Sequence, residues 1–515
     1  MPNRSSDALF QLIKSLEKSE KRNFKLYITR NSASGDLKSI QLFDALDKME
    51  EYDEVQLLSR NKGIRKQQLS NAKAYLHREI LTSLRLIRQE DNIDIQLHEQ
   101  LDYARILYNK GLYLQSLKTL DKIKENARAH NQVTFLLQVL FFEKTIESLH
   151  ITRSMQDRAD QLAAEVDQVN EQLRLISQFS NLALQLYSWY IRNGVARNEK
   201  DEIAVQEFFE KNLPVDLTGQ GFYEKLYQYQ GFCWYAFIRQ DFLLYYRYAQ
   251  KWVDLFEKEP FMMTIETAQY IKGMHNLLGA HFDLLNDQKF RETLKQFEEF
   301  SESEIVRNSV NNRIQTFVYL YISKLNQHFI DGTFTEGLTL VPYIEEKLNE
   351  YYIYLDRHRI LVFYYKIACL YFGSGDYGKT IDFLNKIINW KVDLRTDLQC
   401  YSRLLHLIAH YELGNFDLLE YLIKSVYRFM AKMENLSRVE EEIFRFLRKS
   451  FNLSAGQVKP ELGKLLEELK KYEKNRFETR AFVYLDIISW LESKIRNVPV
   501  QDVIREKYLT GKRRG

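Results

Sequence analysis

Proline and glycine are scarce in this chain, 6 and 19 among 515 residues. Such scarcity disfavours turn-dense β architectures and Pro/Gly-rich disorder, and suits long helices joined by short connections. Cysteine is scarcer still: Cys233, Cys369 and Cys400 are odd in number, far apart and set in apolar stretches. A disulfide framework is thereby disfavoured, and buried thiols in a reducing compartment are expected. Long hydrophobic runs are missing too. The longest, Leu361 to Phe372, covers twelve residues, contains Lys366 and is too short to span a bilayer. The first residues, Met1-Pro2-Asn3-Arg4-Ser5-Ser6-Asp7, lack the apolar core of a secretory signal. A cytoplasmic protein without a membrane partner is the expectation.

What the chain has is a recurring turn. Lys110-Gly111-Leu112-Tyr113, Arg239-Gln240-Asp241-Phe242, Asp287-Gln288-Lys289-Phe290, Asp331-Gly332-Thr333-Phe334, Ser374-Gly375-Asp376-Tyr377 and Leu413-Gly414-Asn415-Phe416 share one pattern. From Phe242 onward the aromatic residues are spaced by 48, 44, 43 and 39. The step from Tyr113 to Phe242 is 129, or three steps of 43. It leaves room for two degenerate units, near Met155 and Gly194, and gives about eight helix pairs. Independent positions agree. Nine residues after the glycine slot stand Leu120, Ala249, Phe297, Val341, Leu384 and Ile423, and twelve after it Ile123, Trp252, Phe300, Ile344, Ile387 and Val426. All are apolar, as the buried face of a second helix requires. Seven before the slot stand Ala104, Cys233, His281, Leu325, Ala368 and Leu407, where close helix approach favours small side chains.

The unit around Gly375 has Tyr364, Ile367, Ala368 and Tyr371 before Gly375-Asp376-Tyr377, then Thr380, Leu384 and Ile387. It resembles a tetratricopeptide repeat (TPR). The resemblance spans residues 93–436 and implies an all-α fold, an α-solenoid of stacked antiparallel helix pairs. Three departures matter: periods longer than 34, glutamine in two glycine slots, and Pro342 inside one second helix, where it should kink or restart the helix. Residues 437–515 read as capping helices at Val439 to Ser450, Lys459 to Glu473 and Arg476 to Arg496, followed by the basic tail Lys512-Arg513-Arg514-Gly515.

Residues 1–92 lie outside the repeat. Helices are expected from Ser6 to Thr29, Leu37 to Glu51, Asp53 to Arg60 and Lys66 to Arg88. Arg60, Lys62, Arg65, Lys66, Lys73, Arg78, Arg85 and Arg88 form a basic patch broken only by Glu79. Gly63 separates two of these helices, and Gln67, Gln68, Ser70 and Asn71 open the second. That order permits a helix-turn-helix in which polar side chains read base edges and the cations hold phosphates. The competing reading is a solvated basic face, favoured by a net charge of only +3.

Two motifs invite chemistry. Gly373 to Thr380 satisfies the phosphate-loop pattern G-x-x-x-x-G-K-[ST], which needs a preceding buried strand and a parallel sheet. Here the same letters are a repeat turn in phase with the others. His406 and His410, four apart, could face one metal. Yet His328 and His410 both stand four before the glycine slot, which points to packing or hydrogen-bonding histidines. Neither a serine elbow nor a catalytic cysteine signature occurs. No catalysis, cofactor or metal is expected. The expectation is a scaffold or adaptor that takes a peptide or helix on the concave surface, with Val362, Tyr365, Cys369, Phe372 and Tyr411 as groove residues. The alternative is a bacterial-type regulator whose N-terminal helices bind DNA while the repeats act as sensor.

Overall fold

The computed structural model describes residues 7–31, 37–60, 64–87, 92–150, 157–215, 221–390, 396–433, 436–473, 475–478 and 486–511. Among them the regular elements are all helical. The fold is all-α. The chain divides into two compact units, Met1–Val169 and Asn170–Gly515. The division falls within the helix Arg158–Asn193.

In the first unit, helices Ala8–Ser15, Lys18–Asn31, Leu37–Lys48, Glu54–Arg60 and Lys66–Ile87 share one core that runs from Leu9 to Ile80, with Phe24 against Phe43 at 4.9 Å. Two helices replace the single one expected up to Thr29. Leu16 turns extended and is buried, and the Glu20 carboxylate accepts the Glu17 N–H to start a new helix. Asp7 caps the first helix by accepting from the Phe10 N–H at 3.0 Å; Ser6, the expected cap, lies outside the described residues. Helices Ile93–Asn109, Tyr113–Ala129 and Val133–Leu149 follow, each packed on the next.

In the second unit, neighbours in sequence are again neighbours in space. Phe222–Ile238 packs on Phe242–Lys258, and Phe242–Lys258 on Thr267–Asp283. Thr267–Asp283 packs in turn on Asp287–Ser301 and on Val310–Asp331. Arg357–Ser374, Tyr377–Ile388, Thr396–Glu412 and Phe416–Lys432 continue the series.

One turn geometry recurs in both units. Gly111, Gln240, Leu285, Gly332, Gly375 and Gly414 all have left-handed φ, between 52° and 89°. In every case the next N–H reaches back to the carbonyl five residues earlier: Leu112 to Leu107, Asp241 to Ala236, Asn286 to His281, Thr333 to His328, Asp376 to Tyr371 and Asn415 to His410, at 2.9–3.1 Å. This is the Schellman closure, which satisfies helix-end carbonyls while the chain reverses.

The turn expected at Asp287-Gln288-Lys289-Phe290 is therefore displaced. Those residues begin helix Asp287–Ser301, and the reversal occurs at Leu285-Asn286. A leucine forced into left-handed φ carries no sequence signal. With Leu285 in the slot, the position seven before it holds Leu278, and those nine and twelve after it hold Leu294 and Phe297. Counted from the left-handed residue, these three positions are buried in all six units.

Gly194 also ends a helix in left-handed conformation, at φ +73°. The turn expected near Met155 lies outside the described residues. Asn131 adds a further reversal, with the Gln132 N–H on the Ala127 carbonyl. Pro342 restarts a helix, as expected: Phe334–Gly337 tightens into a 3-10 turn over Leu338–Leu340, and Val341–Glu350 begins anew with proline in its first turn.

Helices Arg438–Ser450, Ala455–Lys470, Ile487–Arg496 and Val500–Leu509 complete the chain. Of the helix expected from Arg476 to Arg496, Ile487–Arg496 is described; residues 479–485, with Phe482, Tyr484 and Leu485, and the tail from Lys512 lie outside the described residues. Glu412 anchors this end by accepting from the Trp490 indole at 2.5 Å and from the Lys494 ammonium at 2.6 Å. The last helix then returns to mid-chain. The Tyr508 hydroxyl donates to Asp287 at 3.0 Å, Arg505 donates to the Asp331 carbonyl at 3.1 Å, and Arg291 bridges Asp331 and Tyr508.

Gly332 sits under this helix. A Cβ there would stand 2.5 Å from the Arg505 backbone nitrogen, whereas one at Gly375 meets nothing within 4 Å. Gly375→Ala should therefore cost about 1 kcal/mol, from left-handed strain alone. Gly332→Ala should cost at least about 1 kcal/mol more, because the last helix must shift. Urea denaturation of the two variants side by side reads the difference; equal losses would mean that the helix yields freely.

Candidate functional site

The second unit holds a cavity of about 990 Å³. Six helices that precede a chain reversal or a second helix line it: Arg158–Asn193, Phe222–Ile238, Thr267–Asp283, Val310–Asp331, Arg357–Ser374 and Thr396–Glu412. Of the second helices, Phe242–Lys258 alone contributes, through Phe242 and Tyr245.

Its walls are aromatic and its charge is mainly positive. Lys272 lies over the rings of Tyr319 at 5.0 Å and Trp234 at 5.9 Å. Lys366 is buried, donates to Asn326 Oδ1 at 2.5 Å and lies over the rings of Phe329 and Phe282. Arg359 pairs with Asp356 at 3.2 Å and faces the Tyr319 ring. His275 stacks on Tyr319, ring to ring at 4.4 Å, and its Nδ1 is sealed from solvent without a hydrogen-bond partner.

The electrostatics follow from this crowding. Burial, then the positive charges of Lys272, Lys366 and Arg359, hold His275 well below the usual imidazole range, so it is neutral at pH 7. Burial pulls Lys366 down to about 8, against a partial restoring effect from Cys369 and Asp283. Among the described residues no acid lies within ion-pair distance of Lys272 or Lys366.

The expected groove residues divide. Val362 and Tyr365 line the cavity. Cys369 and Phe372 do not: both are buried in the helix core, Phe372 against Tyr377, and burial pushes the Cys369 thiol up to about 12. Tyr411 is also a packing residue, ringed by Phe416, Phe446 and Trp490. Arg357–Ser374 is apolar on nearly every side, because it packs on several helices at once, and periodicity cannot single out its open face. Lys272, His275, Asn276, Asn326 and Arg359 went unrecognised. One signal was visible, the lysine at 366 inside the longest apolar stretch.

The basic patch also divides. Arg65, Lys66, Arg78 and Arg85 are exposed, with Arg78 near Glu79 at 3.4 Å. Lys73 instead holds Asp7 at 2.7 Å and lies over the Tyr52 ring. The Arg60 side chain, Lys62, Gly63 and Arg88 lie outside the described residues. Gln67, Gln68, Ser70 and Asn71 are all exposed beside Arg65 and Lys66.

At the phosphate-loop letters, Gly375 is the left-handed turn residue and Gly373 makes room for the Phe334 ring, which a Cβ would meet at 2.1 Å. Thr380 is buried and donates to the Asp376 carbonyl, while Lys379 is exposed near Asp382. These residues join two helices rather than a strand and a helix. His328 and His410, each four residues before a left-handed turn residue, act alike. His328 Nδ1 bonds Thr333 Oγ1 at 2.8 Å and His410 Nδ1 bonds Asn415 Nδ2 at 3.0 Å, each to the residue after the left-handed position. His281 takes the same slot in the corrected register, with both ring nitrogens unpartnered. His406 and His410 are in ring contact, and among the described residues no group of three metal-ligating side chains occurs. No helix there is long and apolar enough to cross a membrane.

Compared with known protein families, with curated proteins and with solved structures, the chain matches none.

Lys366 makes stability depend on pH in a definite direction. Its folded pKa, about 8, lies below the ordinary 10.5, so the unfolded chain holds the proton more tightly. The destabilisation is complete below pH 8 and fades as pH rises towards 10.5. Between pH 7.5 and pH 10, the stability of the unaltered chain relative to Lys366→Met should rise by about 2 kcal/mol. Paired thermal melts across that range measure it, and a flat difference would show that Lys366 titrates normally.

Proposed function

We propose that this chain is a non-catalytic binding protein, a TPR-like α-solenoid whose concave surface receives a peptide or helix from a protein partner. The cavity is the observation that carries this reading. Its wall is built almost wholly from the first helices of successive pairs, which line the concave face in stacked helical repeats. The recurrent Schellman turns and the buried slots in register with them support the repeat. Cys233, Cys369 and Cys400, buried and outside any disulfide among the described residues, support a reducing, cytoplasmic setting. The test replaces Trp234, in the cavity wall, with photoreactive benzoylphenylalanine, and does the same at Tyr421, which is 70% exposed on a second helix. Irradiation in cells should give a discrete protein adduct from position 234 and none from 421. Identical adduct patterns would remove the groove from the account.

A second reading, a regulator with DNA-binding N-terminal helices, is favoured by one observation. Gln67, Gln68, Ser70 and Asn71 stand exposed at a helix start beside Arg65 and Lys66, where base-reading side chains would have to be. If it holds, the full chain binds duplex DNA with an affinity that falls steeply with salt, and Arg65→Ala/Lys66→Ala reduces the slope of log K against log salt by about 2. Fluorescence anisotropy between 50 and 200 mM salt, as a rough working range, decides it. Salt-independent binding, or none, would retire the DNA reading.

A further inference from the structure

Two lysines line the cavity and neither is ion-paired: Asp283, also in the wall, acts on Lys366 only from beyond ion-pair distance. Lys272 comes from helix Thr267–Asp283 and Lys366 from Arg357–Ser374, and each faces aromatic rings rather than a carboxylate. Arg359 adds a third cation, partly neutralised by Asp356. An unpaired ammonium taken out of water is costly, and such groups ordinarily find a partner or lose their charge. Nothing in the packing compels lysine here. A methionine or leucine would fill the space around Lys366 between Phe282 and Phe329 without that cost.

Hydrogen-bond donors converge at the same place. Asn276 uses its carbonyl oxygen to accept from the Tyr245 hydroxyl at 3.2 Å, and Asn326 uses its own to accept from Lys366. Both side-chain amide nitrogens are therefore left as donors in the cavity wall. His275 has a buried Nδ1 without a partner. Around these groups the wall is aromatic, with Trp234, Tyr319 and Phe282 closest to the lysines.

We propose that the part of the cavity between Lys272 and Lys366 is an anion site, which takes a carboxylate or phosphate carried on an aromatic or otherwise apolar body. Lys272 and Lys366 supply the charge, Asn276 and Asn326 the directional N–H groups, and the rings of Trp234 and Tyr319 the surface for the body. An anion there compensates both lysines. It also makes a protonated His275 tolerable, so the electrostatic cost of the clustered cations becomes selectivity for negative ligands. The inference rests on the reading of the cavity as a binding surface, and it adds the chemistry of what enters.

Two fluorescent probes with the same aromatic body test it on the full chain: anilinonaphthalene sulfonate, which carries an anion, and the neutral N-phenyl-1-naphthylamine. The anionic probe should bind with one site per chain, at least about tenfold more tightly than the neutral one, equivalent to about 1.4 kcal/mol. Lys272→Gln and Lys366→Gln should each weaken the anionic probe about tenfold and leave the neutral one unchanged. Lys386→Gln, on an exposed lysine outside the cavity, should change neither. Competition by benzoate and by phenyl phosphate then separates carboxylate from phosphate. If both probes bind equally, or the lysine variants bind the anion normally, the anion site is overturned while the cavity survives as a binding surface. If neither probe binds, the cavity reading itself fails. Should Lys366→Gln not fold, Lys272→Gln alone decides, because Lys272 is only half-buried.

Discussion

Everything in the second unit depends on how a helix is ended. Each Schellman closure fixes one residue in left-handed conformation and turns the chain back within two residues. The next helix therefore starts beside the last one, and short connections leave it little choice of partner. Side chains at fixed distances from that residue then fall on the same buried face at turn after turn, from Cys233 and Ala249 to Leu407 and Ile423. The turn is cheap where glycine supplies it. At Gln240 and Leu285 it is strained and persists because packing on both sides demands it. Gln240 is buried and donates to the Ala196 carbonyl, a contact that glycine could not make.

Much of the fold was legible because its signals are local. Glycine before a polar residue and an aromatic one marks a reversal, and the spacing of apolar residues marks the buried helix face. Where the reversal falls on Leu285, the letters say nothing, and Asp287-Gln288-Lys289-Phe290 imitates the pattern three residues downstream. The break at Leu16 was hidden for the same reason: leucine favours helix, and only its burial and the Glu20 cap reveal the stop. The candidate site was far less legible. Its residues come from seven helices spread over more than two hundred positions, and Lys272, Asn326 and Lys366 share no spacing rule. Expected groove residues such as Cys369 and Phe372 share a helix with true cavity residues, but the other faces of that helix are equally apolar.

Around the cavity, buried charge is handled differently from elsewhere in the chain. Trp490, Lys494 and Glu412 show how the chain buries charge when structure alone is at stake: the carboxylate is nearly inaccessible and receives two donors. Glu143 is treated likewise, with Lys124 and Arg158 both on one buried carboxylate. Lys366 has only an amide oxygen and the faces of two rings. The contrast within one molecule marks the cavity lysines as exceptions to the chain's own practice.

The contacts of Tyr508 and Arg505 with Asp287 and Asp331 bear on how the protein is made. In an open row of repeats each pair needs only its neighbours, so a growing chain can consolidate from its beginning as it leaves the ribosome. Here residues near the C-terminus hold residues more than two hundred positions earlier. The middle pairs must wait, with the turn at Gly332 uncovered, until the last helix has been synthesised. Such long-range closure slows the final step of folding and couples the middle of the unit to its end. A chain cut between Arg496 and Arg505 would lose this clasp.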